Sequence, residues 1–526
     1  MKDLRKHLTG MISLVLAAAL LPVGSLACTA VYIGRDASED GTTIVARCND
    51  YPDIWPNYVE VVPAVENEPG RTMPVGNKGT VFAPIPAHTY QYTSTPMMDA
   101  ATSYNGYQPD AAACANEMGV VMTMSVTAFS NEAALAADPL VEGGLTEYTA
   151  NDLVICQSAT AREAVQVLTG LIDTYGSSEC NVALIADQTE TWYVEMYTGH
   201  QYAAVLLPTD KVSVFGNEFT LEYLSDYADR ITSAELEALP AENGFAVYGE
   251  NGELCLFDTY AGTELAASYC HMRTWIGHRL LSADTPEDFN LEDRYPLVFT
   301  ADHKVSVNEV MSIMRNRYEG TEYSPDETGR TDMRVIGTDT SLSVHVLQIY
   351  ADLPAEMSCV TWESAGPAIY GVFVPVSNLC DAVSESYSRN QPAEDFGQFD
   401  TDTYPWYAFK ELAVLCLTNV EALGKPVSSF WAEAERKMTA GMDQVLRSAA
   451  AMTHDDAVAY VTDYCTRMQE RAFSDAKSIL NSVVWYMCRI SNTMKRGINP
   501  ETREVLDDLK SFDPVTLTVT TDGYGV

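Results

Sequence analysis

The chain has 526 residues, 47% of them hydrophobic and 10% aromatic, a composition typical of a globular protein large enough for more than one domain. Its formal charge of -41 and its lack of a basic tract disfavour nucleic acid as a partner, because an acidic surface repels phosphate groups. We interpret the acidity as that of a solubilising, exported surface.

The N-terminal segment has the three parts of a secretion signal. Basic residues open it, an apolar run follows at 11–21, and the small residues Ser25 and Ala27 fit a cleavage site. The apolar run is shorter than the roughly 20 residues that a bilayer span requires. We therefore predict a bacterial-type signal peptide over 1–27, a secreted or cell-envelope location and no stable membrane insertion after its removal. Cys28 would then be the first mature residue.

The mature chain opens with a predicted β-hairpin. Residues 29–34 and 42–46 are rich in β-branched residues, and the segment between them has the composition of a turn. A tight turn brings the ends of two strands together. The second strand should therefore deliver Arg47 and Asp50 back beside Cys28.

Further strands are predicted downstream. A Thr-x-x-Glu capping box begins a helix at Thr160, and Gly176 should end that helix. Four β-prone runs then suggest one antiparallel meander. These runs cover 181–186, 191–197, 202–207 and 212–215, and later strands are predicted at 342–349 and 368–376.

The periodicity becomes helical at Trp406. Apolar residues recur every three or four positions as far as Leu423, and Gly424 with Pro426 should end this helix. The whole chain is therefore predicted to have four parts: a signal peptide at 1–27, an α+β domain at 28–385, a helical C-terminal region at 386–500 and a tail at 501–526.

Cysteine and histidine spacing gives no support for a metal. The twelve cysteines include no Cys-x-x-Cys pair, and the His-Glu-x-x-His motif of metallopeptidases is absent. The Gly-x-Ser-x-Gly motif of α/β-hydrolases is absent as well. We expect neither metal nor cofactor. Most of the cysteines lie in apolar runs and should be small buried residues, and the sequence leaves disulfide pairing open.

Cleavage after Ala27 would place a thiol and a free α-amine on Cys28. The amine can then serve as general base for its own thiol. Arg47 against the sulfur would favour thiolate, and Asp50 could hold the amine by a charge-assisted hydrogen bond. A non-catalytic lipoprotein anchored through Cys28 is the alternative, although Ser25 stands where a lipid-attachment motif expects Leu and no flexible tether follows.

Two segments resemble the N-terminus of the cysteine dipeptidases of the dipeptidase A family. They are Cys28-Thr29-Ala30 and Asp40-Gly41-Thr42-Thr43-Ile44-Val45-Ala46-Arg47-Cys48-Asn49-Asp50. That family belongs to the N-terminal-nucleophile (Ntn) hydrolases, with penicillin V acylase and bile salt hydrolase. Similar segments follow in order at 116–120, 186–195, 199–201, 214–219, 273–275, 360–362 and 374–375. The resemblance implies an αββα sandwich, with two stacked antiparallel sheets between helix layers and a helical C-terminal region.

The resemblance also implies site residues. Cys28 would be the nucleophile with its own amine as base, Arg47 and Asp50 would polarise the thiol and position the amine, and oxyanion donors and a second cation would complete the site. The implied donors are Asn116 and Asn217, and the implied cation is Arg273. Two positions depart from the family pattern without removing a reacting group: Cys48 replaces the common Asn, and Gly216 replaces the usual Ala.

The expected reaction is amide hydrolysis of dipeptides or short peptides through a thioester on Cys28. An amidase of N-acyl amino acids or bile-salt-like conjugates, using the same nucleophile, is the alternative substrate class. The sequence leaves open whether the chain forms a homo-oligomer.

Overall fold

The computed structural model describes residues 28–51, 54–76, 79–98, 111–124, 127–262, 270–330, 332–496 and 513–526, with the backbone alone at 393 and 492–496. The predicted signal peptide at 1–27 lies outside these ranges. Within them the strands form a six-stranded sheet, an eight-stranded sheet and two short two-stranded sheets. Every described strand pair is antiparallel.

The six-stranded sheet contains, in spatial order, β14 (Val212–Phe215), β1 (Ala30–Ile33), β2 (Thr43–Asp50), β16 (Ser341–Ile349), β17 (Cys359–Ala365) and β18 (Val374–Ser377). The eight-stranded sheet contains β15 (Arg230–Thr232), β13 (Tyr202–Leu206), β12 (Thr191–Met196), β11 (Asn181–Ala186), β10 (Val121–Met124), β9 (Ala111–Asn116), β8 (Tyr92–Pro96) and β3 (Glu60–Val62). The short sheets pair β4 (Val65–Glu66) with β7 (His88–Thr89) and β5 (Thr72–Pro74) with β6 (Phe82–Pro84).

The described α-helices are α1 (Glu132–Ala137), α2 (Glu147–Ile155), α3 (Ala161–Tyr175), α4 (Ala238–Asn243), α5 (Leu256–Tyr260), α6 (His271–Leu281), α7 (Val307–Ile313), α8 (Pro325–Thr328), α9 (Pro405–Leu417), α10 (Lys425–Ala449) and α11 (His454–Arg496). None of the helices in the described ranges has an apolar stretch long enough to cross a membrane.

Three of the hydrophobic clusters among the described residues lie between layers and define a four-layer arrangement. The first lies between the sheets, where Tyr32 and Leu347 of the six-stranded sheet meet Leu184 and Tyr193 of the eight-stranded sheet. The second lies between the outer face of the eight-stranded sheet and α2 and α3. The third lies between the outer face of the six-stranded sheet and α6, α7, α9, α10 and α11. Because each sheet buries both faces, the αββα sandwich that the resemblance implied is confirmed.

The C-terminal helices share their core with the six-stranded sheet. Trp431 of α10 and Val461 of α11 are buried in the same cluster as Val346 of β16. The Gln469 amide of α11 also donates to the Pro375 carbonyl at 2.9 Å. The helices are therefore packed on the sheet, and the predicted domain boundary near residue 385 stays a prediction.

The two strongest local predictions are confirmed. β1 and β2 form the expected hairpin, with Ala30 opposite Arg47. At the start of α3 the Thr160 hydroxyl accepts the Glu163 N–H at 3.1 Å, and the helix ends at Gly176, whose φ of 72° suits a residue without a Cβ. In both places the local sequence is sufficient to define the structure.

The predicted four-strand meander is wrong in its last strand. β11, β12 and β13 are consecutive neighbours, but β14 leaves them and pairs with β1 in the other sheet. The chain turns at Pro208 and Lys211, and the Lys211 carbonyl accepts the Gly34 N–H at 2.9 Å. The free edge of β13 is taken by β15. Because β14 pairs with β1 in the six-stranded sheet, the residues after β14 lie near the start of β1.

The predicted end of the helix that begins near Trp406 is also wrong. α9 stops at Leu417, and a single π-helical turn at Val420–Gly424 leads directly into α10. Pro426 lies in the first turn of α10, where proline lacks only an N–H that has no helical partner. The proline therefore begins a helix and does not end one.

All twelve cysteines lie in the described ranges as free thiols, and eleven of them are buried. This agrees with the expectation that most of them are small core residues.

Candidate active site

Cys28 lies two residues before the start of β1 and is only 3% exposed. One guanidinium nitrogen of Arg47, Nη1, donates to its sulfur across 3.3 Å. The juxtaposition follows from the hairpin register, since Arg47 is opposite Ala30 and its side chain projects between the sheets. A thiol and a permanent positive charge are thereby buried together.

The eight-stranded sheet fixes the orientation of Arg47. Nε donates to the Thr123 hydroxyl of β10 and Nη2 to the Ala112 carbonyl of β9, each at 2.9 Å. The guanidinium therefore bridges the two sheets while it contacts the sulfur. A planar, multi-donor group held at three points keeps a fixed direction toward the thiol.

Burial raises the pKa of the Cys28 thiol above its ordinary value. The Arg47 charge and a hydrogen bond from the Asp50 backbone lower that pKa, whereas the negative charges of Asp50 and Glu147 raise it further. Burial outweighs the arginine. The thiol is therefore neutral at neutral pH and needs a base before it can act as a nucleophile.

The Asp50 carboxylate lies at the end of β2, beside Cys28. It accepts hydrogen bonds from the Ser341 hydroxyl at 2.5 Å and from Arg334 Nη2 at 3.1 Å. In the full chain the Cys28 nitrogen is part of the peptide bond with Ala27. The role of Asp50 in holding an α-amine therefore stays a prediction.

Cys48 belongs to the core on the outer face of the same sheet. Its sulfur accepts the Thr29 N–H at 3.0 Å and its S–H donates to Asp50 Oδ2 at 3.4 Å. Burial raises the pKa of the Cys48 thiol well above its ordinary value. Cys48 is therefore a neutral thiol that supports the turn into β1.

Arg273, in α6, holds the backbone of the nucleophile. It is fully buried, and Nη1 donates to the Cys28 carbonyl and to the Thr29 hydroxyl. Its Nη2 donates to Asn217 Oδ1 at 2.7 Å. The guanidinium thus fixes Cys28 from the main-chain side, while Arg47 contacts the sulfur.

Asn217 reaches this place because β14 crosses to the six-stranded sheet. Its amide nitrogen donates one hydrogen to the Thr127 carbonyl at 2.8 Å. The second hydrogen has no acceptor among the described residues. This arrangement is compatible with the predicted oxyanion role of Asn217, which stays a prediction.

Gly216 leaves no room for a side chain. A Cβ there would lie 2.6 Å from the Cys270 carbonyl oxygen and 3.3 Å from the guanidinium carbon of Arg273. We expect Gly216→Ala to lower the free energy of unfolding by about 1–3 kcal/mol, since the backbone or Arg273 must move. Urea denaturation would measure this change.

The matched control is Gly170→Ala in α3, where nothing lies within 4 Å of the new Cβ. That substitution should stabilise the protein by about 0.5–1 kcal/mol, because alanine favours a helix over glycine. Equal effects of the two substitutions would contradict the tight packing at Gly216.

The prediction that Asn116 donates to the oxyanion needs correction. Both hydrogens of its amide are used, one by the Ile155 carbonyl at 2.9 Å and one by the Ser158 carbonyl at 2.7 Å. Asn116 also lies four residues along β9 from Ala112, about 13 Å from the strand end that meets Arg47. Asn116 secures the β9–β10 turn against the end of α2.

Sequence reasoning missed several residues that position the site. Thr123 and Arg334 belong to this group, and so does β16, whose Ser341 and His345 pair in register with Asp50 and Arg47. Burial lowers the pKa of His345 well below its ordinary value, so the imidazole is neutral. Polar residues at every second position of 341–345 could have indicated this face.

Metal ligands are not clustered anywhere in the described ranges. No group of three or more His, Cys, Asp or Glu side chains there could hold a metal ion.

Two stacked antiparallel sheets between helix layers, with a buried cysteine just before the first strand, define an Ntn-hydrolase type of fold. The model of peptidase family C69 matches residues 27–433. The chain therefore belongs to peptidase family C69, and the protein is a peptidase.

Known relatives agree with this family. A probable dipeptidase B of Lactococcus lactis subsp. lactis (strain IL1403) is 28% identical over 468 residues, which cover 87% of this chain and 95% of the relative. A probable dipeptidase of Latilactobacillus sakei is 29% identical over 369 residues, covering 69% of this chain and 76% of the relative. A crystal structure of a mutant conjugated bile acid hydrolase from Clostridium perfringens shows a weak likeness, with 11% identity and a TM-score of 0.32 over 69% of this chain and 95% of that one.

Proposed function

We propose that this protein is an exported cysteine dipeptidase whose nucleophile is Cys28 and whose base is the Cys28 α-amine. The observation that carries the proposal is the buried thiol 3.3 Å from Arg47, on the residue that follows the predicted cleavage site. Membership of a peptidase family and relatives named as probable dipeptidases support the substrate class.

Removal of 1–27 is the activating step in this scheme. A peptide nitrogen is not basic, whereas a free α-amine titrates near 7.7–8.0 and can accept a proton at neutral pH. Since burial keeps the thiol of Cys28 protonated, a base on the same residue supplies what Arg47 alone does not. The predicted location, secreted or in the cell envelope, belongs to this proposal.

The first half-reaction forms a thioester. The α-amine takes the thiol proton while the sulfur attacks the scissile carbonyl carbon, and the carbonyl electrons move to oxygen. When the carbonyl re-forms, the C–N bond breaks and the Cys28 ammonium gives its proton to the leaving amine. An Asn217 hydrogen would stabilise the oxyanion, and Arg47 the developing charge on sulfur.

The second half-reaction releases the acyl group. The amine, again unprotonated, takes a proton from water, and the resulting oxygen nucleophile attacks the thioester carbon. The C–S bond breaks and the proton returns to sulfur. Arg273 keeps the Cys28 main chain fixed throughout, because it holds the carbonyl of that residue.

A substrate panel tests the proposal. The mature protein, starting at Cys28, is incubated with unmodified dipeptides, N-acyl amino acids and bile-salt conjugates, and amine release is followed. We expect kcat/KM to be highest for dipeptides. Preference for N-acyl amino acids or bile-salt conjugates, or no hydrolysis of any of them, would contradict the proposed function.

A further inference from the structure

Two carboxyl groups lie at the end of the eight-stranded sheet whose β9 and β10 hold Arg47. Glu147 is the first residue of α2, and Glu179 lies two residues before the start of β11. A Glu179 carboxylate oxygen accepts the backbone N–H of Glu147 at 2.5 Å, so the Glu179 carboxyl group is held at the start of α2, beside Glu147. Neither carboxylate forms an ion pair with a described residue. Among the described residues, these two neighbouring carboxyl groups therefore have no cationic partner.

Helix α2 connects this pair to the nucleophile. Asn151, one turn after Glu147, donates to the carbonyls of Ala111 at 2.5 Å and of Met124 at 3.0 Å. Those residues begin β9 and end β10, where Arg47 Nη2 donates to the carbonyl of Ala112. The Asn151 head group therefore lies beside the Arg47 guanidinium that contacts Cys28.

The same region has an excess of hydrogen-bond acceptors. Asn151 is fully buried, and its amide oxygen has no partner among the described residues. The Thr146 hydroxyl, next to Glu147, is also buried and without a partner there. Buried polar atoms are normally hydrogen-bonded. These two oxygens therefore lack a hydrogen-bond donor among the described residues.

The electrostatics of the two carboxyl groups indicate that a group donating to these oxygens would be positively charged. Burial and the Glu147 charge raise the pKa of Glu179 to about 8, because two carboxylates resist ionising together. The Glu147 charge also adds to the raised pKa of the Cys28 thiol, although less than burial and the Asp50 charge do. A cation beside Glu147 would relieve both effects.

On the basis of the proposed dipeptidase function, we propose that Glu147 and Glu179 bind the α-ammonium group of a dipeptide substrate. An ammonium brings a positive charge and three N–H donors, which match two carboxylates and the unpaired amide oxygen of Asn151. In a dipeptide this group is two bonds from the scissile carbonyl carbon. Its anchor must therefore lie near the nucleophile, and Glu147 is close enough for its charge to contribute to the raised pKa of the Cys28 thiol.

The proposal accounts for a preference that the thiol chemistry alone does not give. An N-acyl amino acid has no charged amine, so it would leave both carboxylates unpaired when it is bound. Discrimination is strong when a wrong ligand leaves buried polar groups without partners. The pair would therefore select unblocked dipeptides over N-acyl substrates.

The test compares alanyl-leucine with N-acetyl-alanyl-leucine, with leucine release as the readout for both. In the mature wild-type enzyme, kcat/KM should be higher for the unblocked dipeptide. Glu147→Gln should reduce the ratio of the two kcat/KM values at least about tenfold, because the ammonium loses its charged partner. Glu147→Asp, which keeps the charge, should restore part of the ratio.

The matched control is Glu163→Gln in the first turn of α3. That turn lies at the other end of the sheet, where the Ala161 N–H donates to Asp187 at 2.8 Å, and the ratio should not change. If wild type prefers the unblocked dipeptide and Glu147→Gln keeps the full ratio, the ammonium site is refuted while the dipeptidase function stands. If wild type cleaves only the acetylated compound or neither compound, the proposed function fails and this inference fails with it.

Discussion

Cys28→Ala should abolish peptidase activity, lowering kcat by about four orders of magnitude or more, as removal of a catalytic nucleophile does in other hydrolases. The Cys28 sulfur accepts a hydrogen bond from Arg47. Alanine fills most of the space and removes the sulfur that accepts from Arg47 and from the Asp50 backbone, but Arg47 keeps its hydrogen bonds to Thr123 and Ala112. We therefore expect thermal unfolding to stay within a few degrees of wild type, about the shift that 1 kcal/mol produces.

Cys48→Ser is the matched control for this substitution. Serine can accept the Thr29 N–H and donate to Asp50 as the Cys48 thiol does, so the turn into β1 is preserved. More than about a tenth of the activity should remain, since losses of several orders of magnitude follow from the removal of reacting groups. If Cys28→Ala keeps more than about 1% of wild-type kcat, or if Cys48→Ser is the inactive variant, Cys28 is not the nucleophile.

Arg47→Lys should be the second most damaging change at the site. Lysine keeps the charge but cannot reach Thr123, Ala112 and Cys28 together, because its ammonium is a single point. We expect kcat to fall by about a hundredfold, with a smaller change in KM, as the sulfur loses its oriented partner. Unpaired polar groups should also cost about 1–3 kcal/mol of unfolding free energy.

Arg315→Lys distinguishes the effect on kcat from the effect on the free energy of unfolding. Arg315 makes a similar three-point contact away from the site, donating to Glu435 at 2.9 Å and to the carbonyls of Ala368 at 2.7 Å and Gly371 at 3.1 Å. This variant should lose stability and keep its kcat per folded molecule. Equal kcat losses in the two variants would show that Arg47 acts only as a structural residue.

Local sequence signals predicted the centre of the site. β-branched runs on both sides of a turn predict a hairpin, and hairpin pairing alone places Arg47 beside Cys28. The capping box at Thr160 and the glycine at 176 likewise define α3 without help from distant residues. These elements depend on contacts between residues close together in the sequence.

The errors arose where distant contacts decide the outcome. Nothing in 212–215 indicates that β14 leaves its neighbours for β1, because a β-prone run suits either sheet edge. Asn116 resembles a site residue by sequence, but strand direction puts it at the far end of β9. Thr123, Ser341 and Arg334 come from separate segments and meet only in the folded sandwich.

The fold also explains why the sequence alone does not indicate a site at Glu147 and Glu179. Glu147 and Glu179 are 32 positions apart, and their contact depends on the packing of α2 at the start of β11. In the sequence they are two of 73 acidic residues. Only the shared hydrogen bond and the absence of an ion pair within the described ranges distinguish them from a solvated surface.

The central claim is that cleavage exposes Cys28 as an N-terminal nucleophile, and intact mass with N-terminal sequencing of the exported, active protein tests it most directly. We predict a free Cys-Thr-Ala-Val start and no added mass on Cys28. A residue retained before Cys28 in fully active enzyme would contradict the role of the α-amine. A diacylglyceryl group on Cys28 would contradict the nucleophile itself.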